Sequence, residues 1–428
     1  MSQPSSLSNL RPQVLALCRQ QEGHYAPLGE AFELTKTADW SPECVQMHKP
    51  DLLVTASCDS YESSGCVDKA RQMSIPSLYL MDGIIEWRNQ WENPRFGMGG
   101  GTPYNQPVTT DKVACFGWAS ARTLEAWGAM GKCELVGAPR FDHYITRPVC
   151  RTPHGGPKRL LIATANTPAF TQEQMSLVEA SLTELAAFLK QQTAWEPVWR
   201  LRRGLDEKLN LTDCFPNLRQ QSLRDAFEQV DAVLTTPSTL ALEAMLAGLP
   251  TGVLDYTNSP QYLPAAWCIT AQAQIAGALR ELEQPSSRRL NFQAEILYNH
   301  LECRSAAQPR LVALAEAMIA EGRAARSDQR PVKLDPRIIP VEFGGVALPT
   351  EHFDLAKLYP EHPILKNRDL SDLHRQLILL RQEIRFLRVQ TGERKVGYWI
   401  KKAVNKAWIW QRTHRRRRGK AGAKNNVG

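Results

Sequence analysis

Short runs of apolar residues alternate along this chain with longer stretches in which apolar positions recur every three or four residues. The runs at 14–18, 51–55, 77–81, 112–116, 159–165, 195–202, 232–234, 252–254 and 266–269 predict strands. Unbroken apolarity over a few positions marks a strand buried on both faces. The periodic stretches predict helices over 119–130, 171–192, 222–229, 240–247, 272–283, 287–303 and 309–322. Strands alternating with helices over about 270 residues predict an α/β fold with parallel sheets covered on both faces. Residues 57–66 read as a polar loop, and the Pro- and Gly-rich stretch 147–157 as a linker.

The sharpest pattern is Asp231 to Asp255, read as strand, turn, helix, strand. Ala232–Leu234 is apolar. Thr235, Thr236, Pro237 and Ser238 form a hydroxyl-rich turn, and Ser238 or Thr239 is placed to cap the helix that follows. Gly248-Leu249-Pro250 ends that helix. A helix N-terminus flanked by hydroxyls suits an anion such as a phosphate.

This stretch resembles the donor-binding segment of GT-B glycosyltransferases. The resemblance covers roughly residues 50–325 and also rests on Gly137-Ala-Pro139-Arg140-Phe-Asp142, which is similar to the pattern closing the first domain in that superfamily. It implies two Rossmann-like domains, an acceptor domain over 1–150 and a nucleotide-sugar domain over 151–325. Ser238, Thr239 and Glu243 then inherit the donor contacts, with Glu243 on the ribose, while Thr236 and Pro237 belong to the same turn. Asn166 and Thr167 follow the strand opening the second domain, and Arg200 and Arg202 end the next one; all four are candidates for the donor's phosphates or sugar. Gly137, Arg140 and Asp142 are assigned to the hinge.

Acid chemistry is expected at the end of the strand 77–81. There Asp82 and Glu86 sit where open α/β sheets bind ligands. Either carboxylate can act as a base toward an acceptor hydroxyl or as a nucleophile. Asp82-Gly83 resembles the corresponding motif of capsule-type Kdo transferases, whereas many related transferases carry His-Gly. His24 is a weaker candidate base. The triglycine loop 99–101 lacks dinucleotide or P-loop spacing and reads as a lid.

Charge divides the chain. From Arg394 onward there are twelve Lys and Arg and no acid, so the net +8 of the whole leaves −4 on residues 1–393. Residues 326–366 read as a Pro-rich extended linker. Leu370, Leu373, Leu377, Leu380, Ile384 and Leu387 form a short heptad seam, suited to a homodimer or to packing on the body. In the tail, Trp399 and Trp408 share an apolar helical face flanked by Lys401 and Lys402, and Arg415 and Arg416 follow. That pattern suits an anionic membrane surface, with nucleic acid as the rival partner.

The ten cysteines show no CxxC pair or metal-ligand spacing, no Asp-x-Asp motif is present, and no apolar run approaches the roughly 18 residues of a membrane span. No metal or cofactor is expected beyond a nucleotide-sugar substrate. The reading is of a peripheral enzyme at the cytoplasmic membrane face, moving sugar to a surface polysaccharide or glycolipid. Glycerophosphate transfer, sugar-nucleotide epimerisation and a non-catalytic membrane-tethered scaffold are the alternatives.

Overall fold

The computed structural model describes residues 11–18, 25–56, 61–95, 104–151 and 155–340. The heptad seam, Trp399, Lys401, Lys402, Trp408, Arg415 and Arg416 lie outside the described residues, as do His24 and the triglycine loop.

The strands are β1 Gln13–Leu17, β2 Glu33–Thr37, β3 Leu52–Thr55, β4 Ser77–Leu80, β5 Lys112–Cys115, β6 Cys133–Leu135, β7 Lys158–Ala163, β8 Trp195–Arg200, β9 Ala232–Thr235, β10 Thr251–Leu254 and β11 Trp267–Ile269. The α-helices are α1 Ala26–Ala31, α2 Pro42–His48, α3 Tyr61–Gln72, α4 Trp118–Leu124, α5 Asp142–Thr146, α6 Gln172–Leu189, α7 Leu205–Lys208, α8 Leu223–Glu228, α9 Leu240–Leu246, α10 Ile275–Glu283, α11 Ser287–His300 and α12 Ala307–Ser327. A π-helical turn spans Arg88–Glu92.

The strands form two parallel sheets, ordered β2-β1-β3-β4-β5-β6 and β11-β10-β9-β7-β8. This is an α/β architecture of two Rossmann-like halves. In each sheet the order reverses once, between β1 and β3 and between β7 and β9. Val14 lies opposite Leu52 in the first sheet, and Leu160 opposite Ala232 in the second. Such switch points open a crevice at the carboxyl ends of the strands.

Alternate residues explain why the strand runs are apolar throughout. Val14 and Ala16 join a core with Leu28, Leu311 and Met318, whereas Leu15 and Leu17 face Val45 and Val67 on the other side. In the second sheet, Leu160 and Ile162 pack with Val178, Leu182 and Leu279. Leu161 and Val233 pack on the opposite face with Leu242 and Met245. Strand β2 was not legible as a strand. It is the sheet edge, its side chains are mostly exposed, and it carries no apolar run.

Residues 57–66 are not a loop throughout, because α3 begins at Tyr61. Ser63, Ser64 and Gly65 disfavour helix weakly, but Cys66, Val67 and Ala70 gain a buried face against the first sheet. The last helix also departs from the sequence reading, which placed it with the second half. α12 lies against the first sheet through Leu311, Leu314, Met318 and Ile319. Burying each of these side chains is worth about 1.5–3 kcal/mol. The extended segment after α12 is docked as far as it is described. The backbone N–H groups of Ile338 and Ile339 donate to the Glu134 carboxylate at 2.9 and 3.0 Å. Glu134 is itself buried and paired with Lys112 at 2.6 Å.

The Gly137 to Asp142 segment explains how the chain returns. Gly137 has φ +90°, and a Cβ there would come within 2.5 Å of the Glu302 carbonyl. The two Asp142 carboxylate oxygens accept from Ala307 N at 2.7 Å and Gln308 N at 2.8 Å. Those are the first two residues of α12, so Asp142 caps it from a distance.

Candidate active site

The carboxyl ends of both sheets face a cleft of about 1330 Å³. Asp82, Gly83, Glu86 and Arg140 line it from the first half. Asn166, Thr167, Arg200, Arg202, Pro237, Ser238, Thr239 and Glu243 line it from the second. Gly137 and Asp142, assigned with Arg140 to the hinge, are not in its wall; they hold the returning chain, and Arg140 alone of the three faces the cleft.

Arg140 lies between the two acids. Its guanidinium stacks over Phe141 at 4.8 Å from the ring centroid. Burial lowers its pKa, and the facing carboxylates of Glu243 and Asp82 oppose that. Tyr104 donates its hydroxyl proton to Asp82 Oδ1 at 3.3 Å. On the other side, Tyr144 donates to Glu243 Oε2 at 3.4 Å. Burial pushes the Glu243 carboxyl up to about 7, with Arg140, Tyr144 and Arg200 acting in the opposite sense. Near neutral pH this group is divided between its two protonation states.

Glu86 has a different situation from Asp82. Arg88 Nε donates to Glu86 Oε1 at 2.7 Å, and Arg88 Nη2 bonds the same oxygen. Arg88 is 1% exposed, and its Nη1 reaches across to the Pro168 carbonyl at 3.2 Å and lies 3.8 Å from Asp255. Burial pushes Glu86 up to about 6 despite this pairing. Glu86, expected as a second candidate acid, lines the cleft while engaged with a buried guanidinium that joins the two halves.

The hydroxyl-rich turn is also used differently from the sequence reading. Neither Ser238 nor Thr239 caps α9 through its side chain. Thr239 Oγ1 instead accepts from Ile84 N at 3.2 Å, across the cleft. A Cβ at Gly83 would lie 3.1 Å from that oxygen, so the close approach favours glycine. Ser238 Oγ lies 3.2 Å from Thr235 Oγ1. Thr236 is buried, and its hydroxyl accepts from Ala165 N at 2.8 Å, fastening the ends of β9 and β7 rather than facing the cleft. With only seven residues, α9 offers a modest dipole, so charge for an anion has to come from side chains.

Those side chains are arginines. Arg200 Nη1 donates to the carbonyls of Leu218 at 2.8 Å and Gln221 at 2.9 Å, which leaves it less to give a ligand. Arg202 and Arg203 stand exposed in the wall, and Arg219 lies beside them, 3.8 Å from Asp206. Asn166 and Thr167 are exposed at the mouth. The sequence reading did not single out Tyr104, Tyr144, Arg88 or Arg219. Only Arg88 had a local signal, two residues beyond Glu86.

No protein-family model matches the chain, and no curated protein sequence matches it. Solved structures do. Staphylococcus aureus MnaA, solved with UDP, superposes with a TM-score of 0.51 at 14% identity, covering 76% of this chain and 100% of that one. A Listeria monocytogenes protein assigned as a UDP-N-acetylglucosamine 2-epimerase gives 0.51 at 14%, covering 72% and 96%. The wall teichoic acid polymerase TagF gives 0.49 at 11%, covering 72% and 89%. At these identities the likeness is one of fold, and the fold is the GT-B arrangement of two Rossmann-like halves.

Proposed function

We propose that this chain is an enzyme that binds a nucleotide-activated sugar in the cleft and transfers the sugar to an acceptor hydroxyl. The observation that carries this is the convergence of Asp82 and Glu243, from opposite sheets, on Arg140 within one cleft. In this reading the ionised Glu243 accepts hydrogen bonds from the ribose hydroxyls. Asn166, Thr167 and Ser238 meet the phosphates and sugar, and Arg202 and Arg203 face the diphosphate.

Asp82 takes the proton of the acceptor hydroxyl as that oxygen attacks the anomeric carbon. The bond from the anomeric carbon to the phosphate oxygen breaks, and its electron pair leaves on the diphosphate. The arginines stabilise that growing charge by fixed electrostatics, the strongest aid a preorganised site gives a leaving anion. Arg140, held over an aromatic ring, keeps the two acids apart in role. The acceptor is a glycan or glycolipid, and the basic tail beyond residue 393 holds the body to an anionic membrane.

A thermal-shift panel of UDP, GDP, CDP, CMP and dTDP on wild type and Glu243→Ala tests the reading. A ligand bound only by the folded state raises the melting temperature. One nucleotide should shift wild type and not the variant. If none shifts wild type, the donor site is wrong.

A second reading, epimerisation of a sugar nucleotide, is favoured by the fold shared with the Listeria monocytogenes protein assigned as a UDP-N-acetylglucosamine 2-epimerase. It needs no acceptor. Incubation with UDP-N-acetylglucosamine alone, followed by NMR of the sugar, separates the two, because only epimerisation changes the sugar without an acceptor.

A further inference from the structure

The π-helical turn Arg88–Glu92 has two faces of opposite chemistry. Residues four apart share a face in so wide a helix. Asn89 and Asn93 form one pair; Asn93 Nδ2 donates to Asn89 Oδ1 at 2.8 Å, and both line the cleft. Trp87 and Trp91 form the other, with ring centroids 5.8 Å apart. Two further rings complete a platform. Tyr262 lies 6.0 Å from Trp87, and Trp127 lies 6.1 Å from Trp91 and 5.9 Å from Tyr262.

These rings are locked against each other. Trp127 meets Trp91 at 89° and Tyr262 at 84°, and Trp91 Nε1 donates to Tyr262 Oη at 3.2 Å. Trp91 remains 48% exposed. None of the four takes part in the chemistry assigned to the cleft. Single π-helical turns concentrate at functional sites, and this one stands between the cleft and the platform.

We infer that this platform is a carbohydrate-binding subsite, taking a pyranose ring of the acceptor chain as that chain leaves the cleft over Asn89 and Asn93. The inference rests on the transferase reading for the word acceptor, but not for the binding itself. The axial C–H bonds on one face of a pyranose carry partial positive charge and lie well on the negative face of an aromatic ring. Rigid rings lose little freedom on binding, and the amides on the turn's cleft face supply donors and acceptors for the hydroxyls of the preceding sugar in the same chain. An anionic membrane is the rival occupant for exposed tryptophan and tyrosine. The turn itself offers such a surface no exposed cation, since Arg88 is buried and Glu92 is exposed, and the first exposed cation, Arg95, lies beyond it.

The test uses the full chain on a glycan array of neutral and acidic oligosaccharides, with Trp91→Ala, Trp91→Phe and Asn89→Ala alongside. Circular dichroism melts check that each variant is folded. Wild type should bind at least one oligosaccharide class. Trp91→Ala should weaken that binding by roughly tenfold, as expected for losing a ring at the centre of a contact, and Trp91→Phe should retain most of it. The nucleotide shifts of the cleft should be unchanged in Trp91→Ala. Binding that needs Trp91 without any nucleotide shift would leave the subsite standing and remove the transferase reading. The proposal is overturned if wild type binds no oligosaccharide, or if Trp91→Ala binds one as well as wild type. It is equally overturned if Trp91→Ala instead lowers co-sedimentation with phosphatidylglycerol vesicles.

Discussion

The two walls of the cleft are built by the same device and equipped for opposite tasks. In each half a buried strand ends in a short turn that carries the cleft's polar groups. The turn after β4 presents Asp82 and Glu86, with Tyr104 and the buried Arg88 around them. The turns after β7, β8 and β9 present hydroxyls, amides and the arginines 200, 202, 203 and 219. The first wall is suited to accepting a proton and the second to holding an anion. Two features cross this division: Glu243 stands on the basic wall, and Arg140 on the acidic one. Arg140 faces Asp82 from its own half and Glu243 from the other, and Glu243 faces Arg200 from its own half and Arg140 from the other, so the interface adds a second opposite charge to each.

The largest expected break in that contrast comes from Asp82→Asn. It should lower sugar transfer by roughly 10²–10⁴-fold while leaving the nucleotide thermal shift intact, since only the acidic wall is altered. An unchanged rate would remove Asp82 from the chemistry. Next in size, Glu243→Ala should weaken the nucleotide by roughly ten- to a hundredfold in titration calorimetry, the range for losing hydrogen bonds to a charged group.

The pH dependence sharpens the contrast further. Glu243 has its folded-state pKa raised to about 7 by burial, above the ordinary carboxylate range. It therefore contributes to stability when protonated, and that contribution is lost as pH rises through about 7. Ligand binding through the carboxylate runs the other way and should strengthen several-fold between about pH 6 and 8. Glu243→Gln should flatten the binding profile, and above neutrality it should be more stable than wild type by about 1–3 kcal/mol, with the difference vanishing below the ordinary carboxylate pKa. A variant less stable at high pH would show the carboxylate to be favourably paired. The smallest effect belongs to Arg202→Ala with Arg203→Ala. These exposed charges should account for a few-fold of nucleotide affinity at low salt and for little at high salt.

Much of this arrangement was legible in the sequence where local pattern and final environment agree. The run from Asp231 to Asp255 folds as strand, helix and strand because buried β9 and β10 need apolar residues on both faces, and Gly248 with Pro250 ends the helix between them. What remained hidden depended on distant partners. Thr239 looks like a helix cap until Ile84 arrives from the other half to use its oxygen. The pairing of Glu86 appears only when the fold buries Arg88 beside it. Tyr104 and Tyr144 lie in stretches with no periodic signal; Tyr104 reaches Asp82 within the first half, and Tyr144 reaches Glu243 across the two halves. Helix α12 shows its apolar stripe plainly, but a stripe does not say which sheet it covers.

That last helix sets a schedule for the ribosome. The first sheet is complete once β6 has been made, yet the helix that covers one of its faces is capped by Asp142 only at Ala307. Roughly 170 residues separate the two, and at about 5–20 residues per second the emerging chain carries an open apolar sheet for about 10–35 seconds.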